Sequence, residues 1–197
     1  MKKPLKIYLA SASPRRKKLI RRVQGPGSRG QGQNIELMQH GHIEEDKGHL
    51  PPKSFAVESA CKKALSASKK IKSGIVVGAD TIVVCDGKIL GKPHTGQNAV
   101  KMLCSISGKA LDVITGLAAI EKPSGRVKKA FELTKVKIKK LSPKEISAYV
   151  ATGEPLDKAG AFAIQGKGGE IVEWIEGDLF NVVGLPCDLL KEMLKCL

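Results

Sequence analysis

The stretch "GIVVGADTIVVCDGKILG", from Gly74 to Gly91, constrains the fold more than any other part of the chain. Its β-branched runs are suited to burial as a strand, and Asp86-Gly87 is a turn signal for a hairpin back into a second, short strand. Asp80 punctuates the apolar run. An acid inside such a strand costs free energy unless it is paired, solvated at a sheet edge or bound to a metal, which singles it out as a functional carboxylate.

The remaining pattern alternates strands with helices. Lys6 to Ala10 reads as a strand. Ser13 and Pro14 then give a hydroxyl cap and a proline at the first helical position, with Leu19, Ile20 and Val23 on the buried face. The periodicity disappears from Gln24 to Pro52, which is expected to be a long irregular excursion. Helical spacing returns from Lys53 to Lys70 through Val57, Ala60, Ala64 and Leu65. A further helix spans Gln97 to Ile106 and ends at Gly108. "ALDVITGLAAI" and "RVKKAFELTKVKIKKL" are strand segments joined by a turn at Pro123 to Gly125, and the second alternates Val136 and Ile138 with lysines. Ser142, Pro143 and Glu145 spell a capping box, "EIVEWI" is strand-like, and a last helix runs from about Pro186 to Cys196. Alternating elements with a hairpin predict an α/β fold on a mixed sheet flanked by helices. At 197 residues, with no linker and no repeat, a single domain is expected.

Charge narrows the partners. The net charge is +15, and ten basic residues precede the first acidic one, Glu36, so the N-terminal end is the expected anion-facing surface. Polyphosphate, nucleic acid and a membrane surface all fit that sign. The five cysteines are odd in number and show no Cys-x-x-Cys spacing, which argues against a zinc ribbon or disulfide framework. No apolar run reaches the roughly 20 residues of a membrane span. A soluble, cytoplasmic protein is expected.

Two motifs are decoys. "GPGSRG" at Gly25 to Gly30 satisfies G-x-G-x-x-G, but no strand precedes it and no helix opens from it, so a loop is expected. "GKILGK" is too short for a phosphate-binding P-loop. His40, His42 and His49, with Glu44, Glu45 and Asp46, match no closed transition-metal set, although an acid among them suits a hard cation such as magnesium. Ser11, Ser13 and Arg15 are more informative. A small-residue turn entering a helix presents backbone N–H groups to an anion, and Arg15 in the first turn offers a bidentate clamp. Lys63 and Lys92 read singly as ordinary surface lysines. "GEPLDKAGAFAIQGKGG" is dense in glycine, which permits close backbone approach, and its Gln165 amide has the donor and acceptor needed to read a pyrimidine edge.

"LASASPRRKKL", "VVGADTIVVCDGKILGKP", "AVKMLCSISGKALDVITG" and "EPLDKAGAFAIQG" followed by "GDLFNVVGLP" together resemble the Maf family of nucleotide pyrophosphatases, in the family's own order. The match covers most of the chain outside about residues 24 to 44. The resemblance implies a mixed α/β fold similar to that of inosine triphosphate pyrophosphatases, with two lobes around a cleft. It further implies hydrolysis of a nucleoside triphosphate to the monophosphate and pyrophosphate, dependent on Mg2+ or Mn2+, by a cytoplasmic homodimer that cleanses nucleotide pools or acts in cell division arrest. Carried over by position, Asp80 is the catalytic proton acceptor and, with Glu45, the metal-associated acid. Lys63 and Lys92 are the phosphate-binding lysines, and Arg15, Thr81 and Gln165 the specificity residues. "GADT" with "IQG" looks like the branch acting on dTTP and UTP.

The chain departs from the family pattern twice. The connection from Gln24 to Gly41 is longer and more polar than usual, and leaves Glu44 beside Glu45 as a candidate for the metal position. Phe162 stands where tyrosine is commoner, removing a hydroxyl and predicting looser selectivity if that hydroxyl positions the base. Lys17, Lys18, Arg21 and Arg22 are not needed by that scheme of nucleotide hydrolysis. They keep two competing classes open: a nucleic-acid-binding protein, poorly served by seven aromatic residues, and a catalytically silent nucleotide sensor acting through a partner.

Overall fold

A computed structural model describes residues 5–24, 35–38 and 50–197. Its seven strands form one mixed sheet, with hydrogen-bonded order β2-β1-β3-β5-β6-β7 and β4 paired to β3. β1 (Ile7–Ala10) runs parallel to β2 (Ile35–Met38) on one side and to β3 (Gly74–Cys85) on the other. β3 and β4 (Lys88–Leu90) form the antiparallel hairpin expected at Asp86-Gly87, with Val83 opposite Leu90 and Cys85 opposite Lys88. β5 (Ala110–Lys122) and β6 (Val127–Ile138) follow, and β6 pairs antiparallel with β7 (Val172–Glu176). Among the described residues six α-helices accompany them: α1 (Pro14–Ile20), α2 (Pro52–Ser68), α3 (Gly96–Ile106), α4 (Pro143–Ala151), α5 (Leu179–Val183) and α6 (Cys187–Lys195).

Two readings change. Residues Ile35–Met38 form β2 inside the stretch expected to be irregular. The segment "IELM" is too short for alternation to stand out from its polar flanks, and its pairing with β1 is a tertiary effect. Short α5 also lay outside the expected helices.

The described residues divide into two compact units. The first lies within Met1–Asp80, Thr115–Glu132 and Gly184–Leu197; the second comprises Thr81–Ile114 and Leu133–Val183.

In the first unit α2 buries a face of small residues, Ala56, Ala60, Ala64 and Ala67. Its core includes Ala10, Val76, Ala118 and Ile120. Two glycines make that approach possible. A Cβ on Gly78 of β3 would fall under 3.0 Å from Ala60 O, and one on Gly116 of β5 would meet the backbone of Ala56 and Val57 as closely. Leu65, expected on the buried face, is exposed instead. The buried arc runs through positions 56, 60, 61, 63, 64, 67 and 68, and Leu65 falls just outside it.

In the second unit Leu103, Ile106, Leu111, Val113, Val136, Ile138 and Phe162 share one core. Val136 and Ile138 are buried while Lys135 and Lys139 are exposed, as the alternation predicts. The capping box of α4 is complete. The Ser142 N–H and hydroxyl donate to Glu145 Oε2 at 2.8 and 2.6 Å, and the Glu145 N–H donates to Ser142 Oγ at 3.3 Å.

Those bonds from Ser142, side chain first and backbone second, hold the Glu145 carboxyl below its ordinary range. A depressed carboxyl pKa contributes stability above its unfolded value and loses it as pH falls through the folded one. Ser142→Ala is therefore expected to lower Tm by about 3 °C at neutral pH, with the deficit shrinking below about pH 4. Paired thermal melts across pH check this; a deficit that is constant or grows in acid contradicts it.

Candidate active site

The first unit assembles a charged cluster around Asp80. β3 is buried along its length except at Asp80 and Thr81, which are half-buried. The carboxylate therefore sits at a local opening in an otherwise covered strand. Lys63 reaches it from α2, its ammonium donating to Asp80 Oδ1, with side-chain exposures of 7% and 13%. Lys63 is thus no ordinary surface lysine. Three residues after Ala60 and four before Ala67, it lies on the helix face that packs inward. Burying an ammonium there is costly without a carboxylate or an anion beside it.

The turn after β1 holds itself together before it holds any ligand. Ser11 is buried, and its Oγ accepts the Ser13 N–H at 3.2 Å. Ser13 caps α1 by accepting the Arg16 N–H at 3.4 Å, with Pro14 at the first helical position. The N–H groups of Ser13 and Arg16 are thus taken up within the turn, where they hold its shape. Arg15 is half-buried in the first turn of the helix.

Arg16 is the residue that sequence reasoning passed over. Its Nε donates to Gly184 O at 2.7 Å. Burial pushes its guanidinium pKa down, the charge of Asp80 pulls it back up, and neighbouring Arg15 lowers it. The signal was present: Arg16 precedes the buried Leu19 and Ile20 by three and four residues, so it shares their inward face. Lys17, Lys18, Arg21 and Arg22 are exposed. Two basic side chains, Lys63 and Arg16, thus bear on the Asp80 carboxylate, an electrostatic environment suited to an arriving polyanion.

The second unit carries the other sequence candidates. Thr81 follows Asp80 on β3. Lys92 is exposed just after β4. Gln165 is exposed in a glycine-rich segment of short 3-10 turns at Glu154–Asp157, Ala159–Ala161 and Lys167–Ile171. Phe162 lies in the core, packed with α3 and β6 residues, so the ring missing its hydroxyl is a packing element of this unit. "GKILGK" is the β4 strand and its flanks, which disposes of the P-loop decoy.

Glu45, its neighbour Glu44, the histidines 40, 42 and 49 and the "GPGSRG" motif lie outside the described residues. Among the described residues no cluster of three or more His, Cys, Asp or Glu side chains could hold a metal ion. Asp80 alone of the expected metal-associated acids is described. A single carboxylate fits magnesium or manganese completed by substrate phosphate oxygens and water rather than by an all-protein cage. All five cysteines are free thiols, and no described helix is long and apolar enough to cross a membrane.

A mixed sheet flanked by helices, with a carboxylate set between a buried lysine and a half-buried arginine, defines a protein equipped for phosphate chemistry. The chain belongs to the Maf-like protein family, whose model matches residues 6–197. A relative from Methanococcoides burtonii, named dTTP/UTP pyrophosphatase, is 45% identical over 190 residues, covering 96% of this chain and 94% of its own. Proteins of the same name from Methanosarcina barkeri and Moorella thermoacetica are each 44% identical, covering 96% of this chain and 92% and 93% of theirs.

Proposed function

We propose that this protein is a nucleoside triphosphate pyrophosphatase that hydrolyses dTTP and UTP to the monophosphate and pyrophosphate. The observation that carries the reading is the ion pair between buried Lys63 and half-buried Asp80, with Arg16 bearing on the same carboxylate. The names of relatives at 44–45% identity supply the substrate.

Asp80 accepts a proton from the attacking water, whose oxygen bonds to the α-phosphorus as the bridge to the β-phosphate breaks. Lys63 is placed to transfer part of its attention from Asp80 to the incoming phosphates, and Arg16 keeps positive charge beside the carboxylate throughout. Lys92 and Arg15 carry the phosphate and specificity roles that the family resemblance assigns, while Thr81 and Gln165 read the base. Ser11 and Ser13 shape the turn that presents Arg15 and Arg16. A divalent cation, held by Asp80 with Glu45 and the substrate, would neutralise phosphate charge. The protein is proposed to work in the cytoplasm as a homodimer, which light scattering of the purified chain checks.

Incubating the protein with dTTP, UTP, CTP, GTP and ATP, with magnesium or manganese, and separating pyrophosphate from single phosphate tests the reaction. Pyrophosphate with monophosphate, fastest from dTTP or UTP, is the expected result. No turnover of any nucleotide, or release of single phosphate, overturns it.

A further inference from the structure

Gln165 sits on an exposed glycine-rich segment, yet residues on both sides of it are tied to buried or half-buried side chains of the second unit. After it in sequence, the Lys167 N–H donates to Glu154 Oε2 at 3.0 Å and the Gly168 N–H donates to Glu154 Oε1 at 2.9 Å. Before it, the Ala163 N–H donates to the Tyr149 hydroxyl at 3.3 Å. The two anchors are joined, because the Tyr149 O–H donates to Glu154 Oε1 at 3.0 Å. Tyr149 itself is fixed in the core from α4.

The glycines of the segment agree with this arrangement. A Cβ on Gly166 would fall under 3.0 Å from Glu154 Oε2, and Gly166 has φ +91°, a conformation that L side chains rarely adopt. A Cβ on Gly168 would come as close to the Tyr149 hydroxyl and Ala163 O. The backbone thus passes over the carboxylate and the phenol at a distance that only glycine permits. Burial, and then the hydrogen bond and charge of Glu154, push the Tyr149 phenol above its ordinary pKa, so it remains a donor at neutral pH.

We infer that Glu154 and Tyr149 are positioning residues for base recognition: they clamp the 163–168 segment on both sides of Gln165 and present its amide in one orientation. The inference rests on the proposed reading of a uracil or thymine base by Gln165. A hydrogen-bonding site discriminates well only when its donors and acceptors are held in place, because the wrong base then leaves a polar group unpaired. A free glycine-rich loop would let the main chain at Gln165 shift, so that its amide could meet the cytosine edge as readily as the uracil edge. The clamp removes that freedom without touching the substrate.

The test compares Glu154→Gln, Tyr149→Phe and Gln165→Ala in the full chain. For each, KM and kcat are measured with UTP and CTP, and equilibrium binding with non-hydrolysable UTP and CTP analogues. Glu154→Gln turns one acceptor into a donor facing a backbone N–H. It is expected to raise KM for UTP about tenfold, to change kcat far less, and to shrink the UTP-over-CTP ratio about tenfold. Tyr149→Phe is expected to shift the ratio in the same direction and decides the matter if Glu154→Gln fails to fold. A flattened ratio in Gln165→Ala, with both clamp variants at the wild-type ratio, overturns the clamp and leaves base reading by Gln165 standing. An unchanged ratio in Gln165→Ala overturns both. The binding measurement yields the ratio even in a protein that hydrolyses nothing, so a failure of the proposed hydrolysis is recognised separately. Equal losses of kcat and thermal stability at an intact ratio would mark Glu154 as structural only and also overturn the inference.

Discussion

Asp80→Asn is expected to abolish turnover, lowering kcat by about a thousandfold or more, while nucleotide binding changes by only a few-fold. The substitution is nearly isosteric and keeps an acceptor for the Lys63 ammonium, but it removes the group that takes the proton from water. Binding should survive because Lys63 and Arg16, relieved of a competing carboxylate, attract the phosphates at least as strongly. Leaving Lys63 buried without a full counter-charge has a cost, and Tm should fall by several degrees in the absence of nucleotide. Added nucleotide should recover part of that loss, since a triphosphate supplies the missing charge. Single-turnover kinetics, calorimetric titration with a non-hydrolysable analogue and paired melts separate these effects. A fully active Asp80→Asn protein would remove Asp80 from the chemistry.

The largest effect on stability is expected from Gly116→Ala. The added methyl would meet Ala56 C and O and Val57 N, all backbone atoms of α2, so no side-chain rotation relieves the contact. Either the helix shifts or the strand does. Overpacking of this kind costs typically 1–3 kcal/mol, and the rigid partner here places the expected value at the upper end, about 3 kcal/mol or a fall in Tm of about 6–12 °C. Gly87→Ala is the control. It sits in the hairpin turn at φ +75° with nothing within 4 Å of the new Cβ, so only backbone strain of about 1 kcal/mol applies. If the two variants melt together, the close helix-to-strand approach is not what Gly116 provides.

Much of the fold was legible because its signals are local. The Ser142-Glu145 box, the Asp86-Gly87 hairpin and the alternation at Val136 and Ile138 each follow from residues within a few positions of one another. β2 escaped because "IELM" owes its conformation to β1. Asp80 was legible as a cost, an acid in an apolar strand. Lys63 was misjudged taken singly, although its place between Ala60 and Ala67 marks it as buried. Arg16 was hidden by company: six basic residues between Arg15 and Arg22 look alike until Leu19 and Ile20 fix which way the helix faces. The anchoring of the Gln165 segment was not legible. Tyr149 and Glu154 precede Gln165 by more than ten residues, and their bonds to 163, 167 and 168 follow no periodic rule.

The glycines beneath α2 also bear on how such a protein can be altered. Gly78 stands two residues before Asp80 on the same strand, and Ala60 and Ala64 flank Lys63 on the helix it touches. The separation between the strand that carries the acid and the helix that carries its lysine is therefore set by how closely their main chains approach, not by the bulk of interchangeable apolar side chains. Such a separation cannot be tuned in small increments, because the smallest available change, one methyl group, already exceeds the space. Adaptation to a new temperature or a new nucleotide has to accumulate elsewhere, and directed evolution that spares positions 56, 60, 64, 78 and 116 should retain far more active variants than a uniform search of the chain.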